Sequence, residues 1–199
     1  MTSAEEHRQR FDLPKDCPVH SPWGTVQTGE KLAEGVFSVS TPGHGGIKLD
    51  RKRNGEIPEI FRREGGWYEE DCDWAIPVYI LGLMPDKNDA ALKMLRDWHW
   101  RAYEAWFHVT ILPGESFLKD EYLFAQANAN DWVVISACGD WYQGVPKGMV
   151  GCIATKGGVR GDGRSQPESR RFLVPVEEYQ TRGRHGFVID ESKHKEWPQ

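Results

Sequence analysis

The chain has 199 residues, of which 39% are hydrophobic and 28% charged, with a formal net charge of −5. That length allows one sizeable core or two small lobes sharing one. The charge excludes a global basic field for nucleic acid, and it is too mild and too mixed with Lys and Arg for a DNA mimic.

No apolar run approaches a membrane span, and the polar segment from Met1 to Arg10 lacks the apolar stretch of a secretion signal. Cys17, Cys72, Cys138 and Cys152 form neither a CxxC pair nor a zinc spacing. The reading is a cytoplasmic protein with reduced thiols, no disulfide, no metal and no cofactor. The nine tryptophans suit either a core or a partner surface. Three short basic clusters, Arg51-Lys52-Arg53, Arg62-Arg63 and Arg170-Arg171, read as solvated faces.

Residues 1–20 are polar and interrupted by Pro14 and Pro18, which predicts a flexible arm. Order is expected from Ser21-Pro22-Trp23-Gly24. Between Trp23 and Leu49, the short apolar runs around Val26, Val36 to Val39 and Ile47 predict strands, with a hairpin closed by Gly29 to Gly35. Pro42-Gly43-His44-Gly45-Gly46 cannot be a strand interior and reads as a turn.

Residues 51–64 predict one short amphipathic helix beginning near Pro58, with Ile57, Ile60 and Phe61 apolar and Gly65-Gly66 ending it. Trp67, Asp71, Trp74, Ala75 and Val78 follow at helical spacing. They predict a helix from near Glu69, kinked or ended by Pro77, with Glu69, Glu70 and Asp71 in its first turn. The clearest pattern is Leu92, Leu95, Trp98, Ala102 and Trp106, which predicts a helix over 88–108 with those five residues buried together. A further helix is expected over 115–126.

The last third predicts strands at 132–137, 149–154, 171–174 and 186–189. A flexible, exposed loop is expected at 157–167, and a frayed tail over 191–199. Strands, then helices, then strands read as α+β, with antiparallel sheet and two to four helices, the longest near 88–108. The expected organisation is a single domain over 21–190, or two lobes at about 21–112 and 113–190.

Chemistry concentrates in two stretches. His44, flanked by glycines, can titrate near neutral pH and act as a general base or ligand, or simply cap a turn. Glu69, Glu70, Asp71 and Asp73 supply carboxylates for that histidine, or merely a solvated helix turn. Cys72 near a helix N-terminus would have a lowered thiol pKa and could pair with His44, or pack behind Trp74. Cys138-Gly139-Asp140, after a strand, is a weaker nucleophile candidate. His99 and His108 on the long helix read as packing or surface groups. The two stretches are expected to be neighbours, as an active centre or as a polar clamp. Trp67, Tyr68 and Trp141 are the candidate binding residues.

Several phrases taken together resemble a family. They are Ser21-Pro22-Trp23-Gly24, the turn from Ser40 to Ile47, Gly65 to Trp74, Cys138-Gly139-Asp140-Trp141, Val145 to Gly151 and Phe172-Leu173-Val174-Pro175. The set is similar to an uncharacterised family carried by bacteriophages, plasmids and proteobacterial genomes, and covers about residues 21–190. The resemblance implies a setting in bacterial mobile elements and no catalytic residue. The function expected is an accessory protein that binds and inhibits a host defence or nucleic-acid-processing machine through protein–protein contact. The alternatives are a small hydrolase or nucleic-acid-modifying enzyme using His44 and the 69–73 carboxylates, and a structural role in the mobile element. The expected partner is a host or mobile-element protein, with nucleic acid an open alternative that the net charge does not indicate, and no membrane involved.

Overall fold

The computed structural model describes residues 3–162 and 164–197. The chain divides into two compact units, Met1–Phe117 and Leu118–Gln199. The class is α+β, as the sequence predicts, with three antiparallel sheets. Among the described residues there are seven α-helices, where two to four were expected.

In the first unit the segment expected as a flexible arm is packed. Helix α1 spans Ser3–Arg10, and Arg8 Nε donates to the Cys17 carbonyl at 2.8 Å. Leu13 and Cys17 are buried, so the two prolines interrupt regular structure without preventing packing. Met1 and Thr2 lie outside the described residues. A two-residue pair, β1 (His20–Ser21) and β2 (Gly24–Thr25), leads into a meander of β3 (Thr28–Ala33), β4 (Val36–Ser40), β5 (Gly45–Leu49) and β6 (Trp67–Glu69).

Period-two alternation gives this sheet two working faces. Val36, Ile47, Leu49 and Tyr68 bury one face against Ile57, Phe61, Ile76, Val78 and Leu95. Phe37 and Val39 bury the other against Leu13, Cys17 and Val26, with Trp23 and Trp67 at its margin. Gly46 lies on this second face, paired with Val39. A Cβ there would run into the Tyr68 carbonyl and the Trp23 ring.

Helix formation departs from the expected positions in three places. Helix α2 is Arg51–Gly55, upstream of Pro58, because the Asp50 side chain caps it by accepting from the Arg53 N–H at 2.7 Å. The stretch expected as a helix from Glu69 begins as strand β6 and continues as turns. Helix α3 starts only at Ala75 and runs to Leu81. Pro77 is its third residue, where an N–H has no intrahelical acceptor, so the ring neither kinks nor ends it.

The predicted helix over 88–108 is two helices, α4 (Asn88–Trp98) and α5 (Trp100–Phe107), broken at His99 with φ −116° and ψ 37°. Their inward face is also rotated from the expected one. Ala91 and Leu95 are buried, whereas Trp98 is 50% and Trp106 46% exposed. The small Ala91 lets α4 pack against α3, and the two indoles fall outside that contact.

Helix α6 (Phe117–Ala127) begins at the last residue of the first unit. The second unit is a four-stranded sheet with β7 (Trp132–Cys138), β8 (Met149–Lys156), β9 (Ser169–Pro175) and β10 (Lys195–Glu196) in spatial order β10-β9-β8-β7. Its core holds Trp132, Cys152, Phe172, Val174, Phe187 and Ile189, with α7 (Val176–Gln180) supplying Val176 and Tyr179. Residues 186–189 run beside β7 through Val134 N–H to Phe187 O at 2.9 Å and Ile189 N–H to Trp132 O at 2.8 Å. The tail expected to fray instead adds β10 and buries Trp197, whose ring occupies the space a Cβ on Gly151 would need. Pro198 and Gln199 lie outside the described residues, as does Gly163 in the expected 157–167 loop. No helix among the described residues is long and apolar enough to cross a membrane.

Candidate functional site

The pairing of β5 with β6 sets Gly46 opposite Glu69, and the Glu70 N–H donates to the Gly45 carbonyl at 3.1 Å. The turn entering β5 and the exit of β6 are therefore side by side. His44 Nδ1 lies 3.9 Å from Glu70 Oε1, both side chains being about half exposed. The turn itself is held by Thr41, whose N–H and hydroxyl both donate to the His44 carbonyl and whose oxygen accepts from the His44 N–H. The imidazole is free of that task.

The remaining candidates are divided between two places. Glu69 Oε2 accepts from the Asp71 N–H at 2.8 Å, which fixes the turn after β6. Asp71 is exposed. Asp73 is gripped by Arg63, with Nε to Oδ2 at 2.7 Å and Nη2 to Oδ1 at 2.8 Å. His99 Nε2 approaches the same carboxylate at 3.3 Å. The helix break at His99 is what aims this ring at Asp73, whereas helical spacing alone reads the histidine as a packing or surface group.

Cys72 lies with Asp73 and His99, and a thiol–imidazolium pair with His44 is not what the chain builds. Its thiol is pushed up by burial and by the carboxylates of Asp73 and Glu69, the reverse of the expected lowering. The cause is position: Cys72 is in the turn before α3 and outside any helix N-terminus. Burial also holds the His99 imidazole below its ordinary value, with Asp73 opposing and Arg63 reinforcing that effect. A neutral imidazole beside an un-ionised thiol is not an activated nucleophile.

Among the described residues, two groups bring ligand-type atoms within 4.8 Å of one another, Cys72 with Asp73 and His99, and His44 with Glu69 and Glu70. In the first, the Arg63 guanidinium already neutralises the carboxylate a cation would need. In the second, Glu69 is committed to its turn.

Beside the His44 turn, an open cleft of about 510 Å³ lies within the first unit. Its existence follows from the sheet. On β4 the positions facing the helices run Val36, Ser38, Ser40, and their β5 partners run Leu49, Ile47, Gly45. Toward the His44 end the side chains shrink, so sheet and helices separate. Ser38, Ser40 and Glu70 line the cleft with Ile47, Trp74, Met84 and Lys87.

The candidate binding residues are placed differently from one another. Tyr68 is fully buried, its hydroxyl donating to Asn54 Oδ1 at 2.7 Å, so it is a core residue and cannot meet a partner. Trp67 is half-buried beneath Lys48, whose ammonium sits 4.8 Å from the ring centroid. Trp141 is 80% exposed. It stands on the loop between β7 and β8, which is pinned by Asp140 Oδ2 accepting from the Gly148 N–H and by the Tyr142 N–H donating to Gly139 O. Cys138 ends β7 with its thiol 3.5 Å from the Gly151 carbonyl, facing its neighbouring strand.

Fold and site together define an α+β protein of two antiparallel-sheet units, the first carrying an open cleft rimmed by polar groups. The chain belongs to the family described as a domain of unknown function (DUF7007), which matches residues 16–129. No curated protein and no solved structure matches it.

Proposed function

We propose that this protein is an accessory factor of a bacterial mobile element, a phage or plasmid. In the host cytoplasm it binds a defence or nucleic-acid-processing complex and blocks it by protein–protein contact. One observation carries this reading: Trp141, 80% exposed, is displayed on a loop held by its own hydrogen bonds. Large aromatics on pre-ordered loops are the usual anchors of protein interfaces, because they add contact area at little entropic cost. The exposed Trp98 and Trp106 of the first unit agree with such a surface. The unactivated Cys72 and the Arg63-bound Asp73 fit a role that needs no catalytic set.

The test is plating of a sensitive phage on bacteria that carry nuclease-based defence systems, with and without this protein. Wild type is expected to raise plating at least tenfold against one such system, and Trp141→Ser to remove that rise without lowering the melting temperature. Failure of the wild type against every system tried would overturn the reading.

A second reading is a hydrolase or nucleic-acid-modifying enzyme, favoured by the approach of His44 to Glu70 beside the cleft. It makes the opposite demand, that His44→Ala abolishes the effect and Trp141→Ser spares it.

A further inference from the structure

The cleft of the first unit has polar groups that the protein itself does not use. Among the described residues, the hydroxyls of Ser38 and Ser40 and the ammonium of Lys87 make no hydrogen bond or ion pair. The Glu70 carboxylate has only the 3.9 Å approach of His44. Two neighbouring charged pairs of this unit are by contrast matched, Arg63 with Asp73 and Arg53 with Glu56. The floor between the unused groups is apolar, formed by Ile47, Trp74 and Met84.

Sequence alternation makes the opening specific to this place. Ser38 and Ser40 continue the strand face that buries Val36, where a β-branched or aromatic residue would close the sheet onto the helices. Ser38 faces Ile47 and Ser40 faces Gly45, so two hydroxyls and a missing side chain stand where core would otherwise continue. A Cβ on Gly45 would meet Glu70 Oε2 at 2.6 Å and the Val39 carbonyl at 2.9 Å, so this glycine also keeps Glu70 against the mouth.

The chemistry of the rim states what it takes. An ionised carboxylate only accepts hydrogen bonds, so Glu70 calls for a donor such as an amino group. An ammonium only donates, so Lys87 calls for an anion. Serine hydroxyls accommodate either. A flat apolar body suits Trp74 and Met84, and a volume of about 510 Å³ is in the range of small-molecule sites, roughly 300–1,000 Å³.

We propose that this cleft binds a small molecule made of a planar ring bearing an amino group and carried on an anionic tail, an amino-bearing mononucleotide being the class that combines all three. The amino group meets Glu70, the ring lies over Trp74 and Met84, and the phosphate faces Lys87. The proposal is independent of the protein-binding role, since Trp141 belongs to the other unit.

The probes are AMP, CMP and adenosine, followed by saturation-transfer NMR and isothermal titration on the full chain. AMP or CMP should bind in the micromolar to low-millimolar range, and adenosine at least fivefold more weakly than AMP. Glu70→Ala should weaken AMP at least tenfold and Lys87→Ala about fivefold, and Ser38→Leu should abolish binding by filling the cleft. Should Ser38→Leu fail to fold, Glu70→Ala keeps the test, because that side chain is exposed and makes no hydrogen bond. No saturation of AMP and CMP at 5 mM, roughly the weak end of specific binding, would overturn the proposal. So would AMP binding unchanged in Glu70→Ala or in a folded Ser38→Leu. Adenosine binding as tightly as AMP would overturn the role given to Lys87 and the anionic tail.

Discussion

Arg63 holds Asp73 with two parallel hydrogen bonds of 2.7 and 2.8 Å, across ten residues of chain that contain all of β6. The pair is partly buried and is supported by His99 at 3.3 Å. It ties the end of the segment after α2, the turn before α3 and the break between α4 and α5 to one point.

Breaking one half of this pair leaves a charge without its partner in a poorly hydrated place. Asp73→Asn or Arg63→Met is therefore expected to cost about 3 kcal/mol of stability, the lower end for buried pairs. Replacing both, Arg63→Met with Asp73→Leu, should restore most of it, because no orphan charge remains. Urea denaturation midpoints of the two single variants and the double variant decide this. Single variants within 0.5 kcal/mol of wild type, roughly the scatter of neutral surface changes, would reduce the pair to decoration.

His99 makes this cluster sensitive to acid. Burial holds its folded-state pKa below the ordinary 6.5, so as pH falls below that value the unfolded chain takes up a proton that the folded chain refuses. Stability is then full above pH 6.5 and declines on acidification until the depressed folded value is reached. The slope from one such proton is at most about 1.4 kcal/mol per pH unit. His99→Gln should flatten the melting temperature against pH below the ordinary value of 6.5. An unchanged profile in that variant would show that the ring titrates freely.

Helices α4 and α5 supply a comparison of two core candidates, one from each. Leu95 is fully buried and Trp106 is 46% exposed. Leu95→Ala should cost about 3 kcal/mol, through lost burial and the cavity left behind. Trp106→Ala should cost about 1 kcal/mol, mostly its edge contact with Phe61 at 6.3 Å between centroids. The reverse order in chemical denaturation would restore the face that helical spacing alone suggested.

Gly43 in the turn and Gly46, which lies in β5 where a turn was expected, should behave differently. A Cβ on Gly46 meets the Tyr68 carbonyl and the Trp23 ring, whereas one on Gly43 meets nothing within 4 Å. Gly46→Ala is expected to lose about 2 kcal/mol by overpacking, and Gly43→Ala to stay within about 0.5 kcal/mol of wild type. Thermal melts of both variants are sufficient.

Strands β4, β5, β7, β8 and β9 are legible because alternation is local, whereas β3 occupies the Gly29 to Gly35 stretch expected to close a hairpin. Val36, Phe37 and Val39, or Val150 and Cys152, carry their burial in consecutive residues. The helices were less so. Asp50 as a cap carries little local signal beside the apolar residues around Pro58, of which Ile57 and Phe61 are buried without a helix and Ile60 is exposed. Trp67 to Val78 has helical spacing yet starts as a strand, since Lys48, Ile47 and Gly46 offer β6 a ladder that no local pattern announces. The neighbourhood of His44 and Glu70 could be expected from two polar interruptions. The Arg63, Asp73 and His99 cluster could not, because its members are separated by up to 36 residues and each looks ordinary where it stands. The cleft was invisible for a related reason. Ser38 and Ser40 read as weak strand residues until the register shows which face they occupy.

The Trp197 ring fills the space above Gly151 so completely that a methyl group at 151 would lie 2.6 Å from it. Neither residue can change alone: a side chain at 151 evicts the indole, and a small residue at 197 leaves a hole over a bare strand. The nearest obstructing atoms at Gly151 belong to side chains, two on Trp197 and one on Val145, so a smaller ring removes most of the obstacle when the glycine grows, and a shift of the Val145 methyl removes the rest. Across related sequences these two positions should therefore drift as a couple, small with large or medium with medium. That trace of co-inheritance would be readable by anyone who aligns them, forty-six positions apart by numbering.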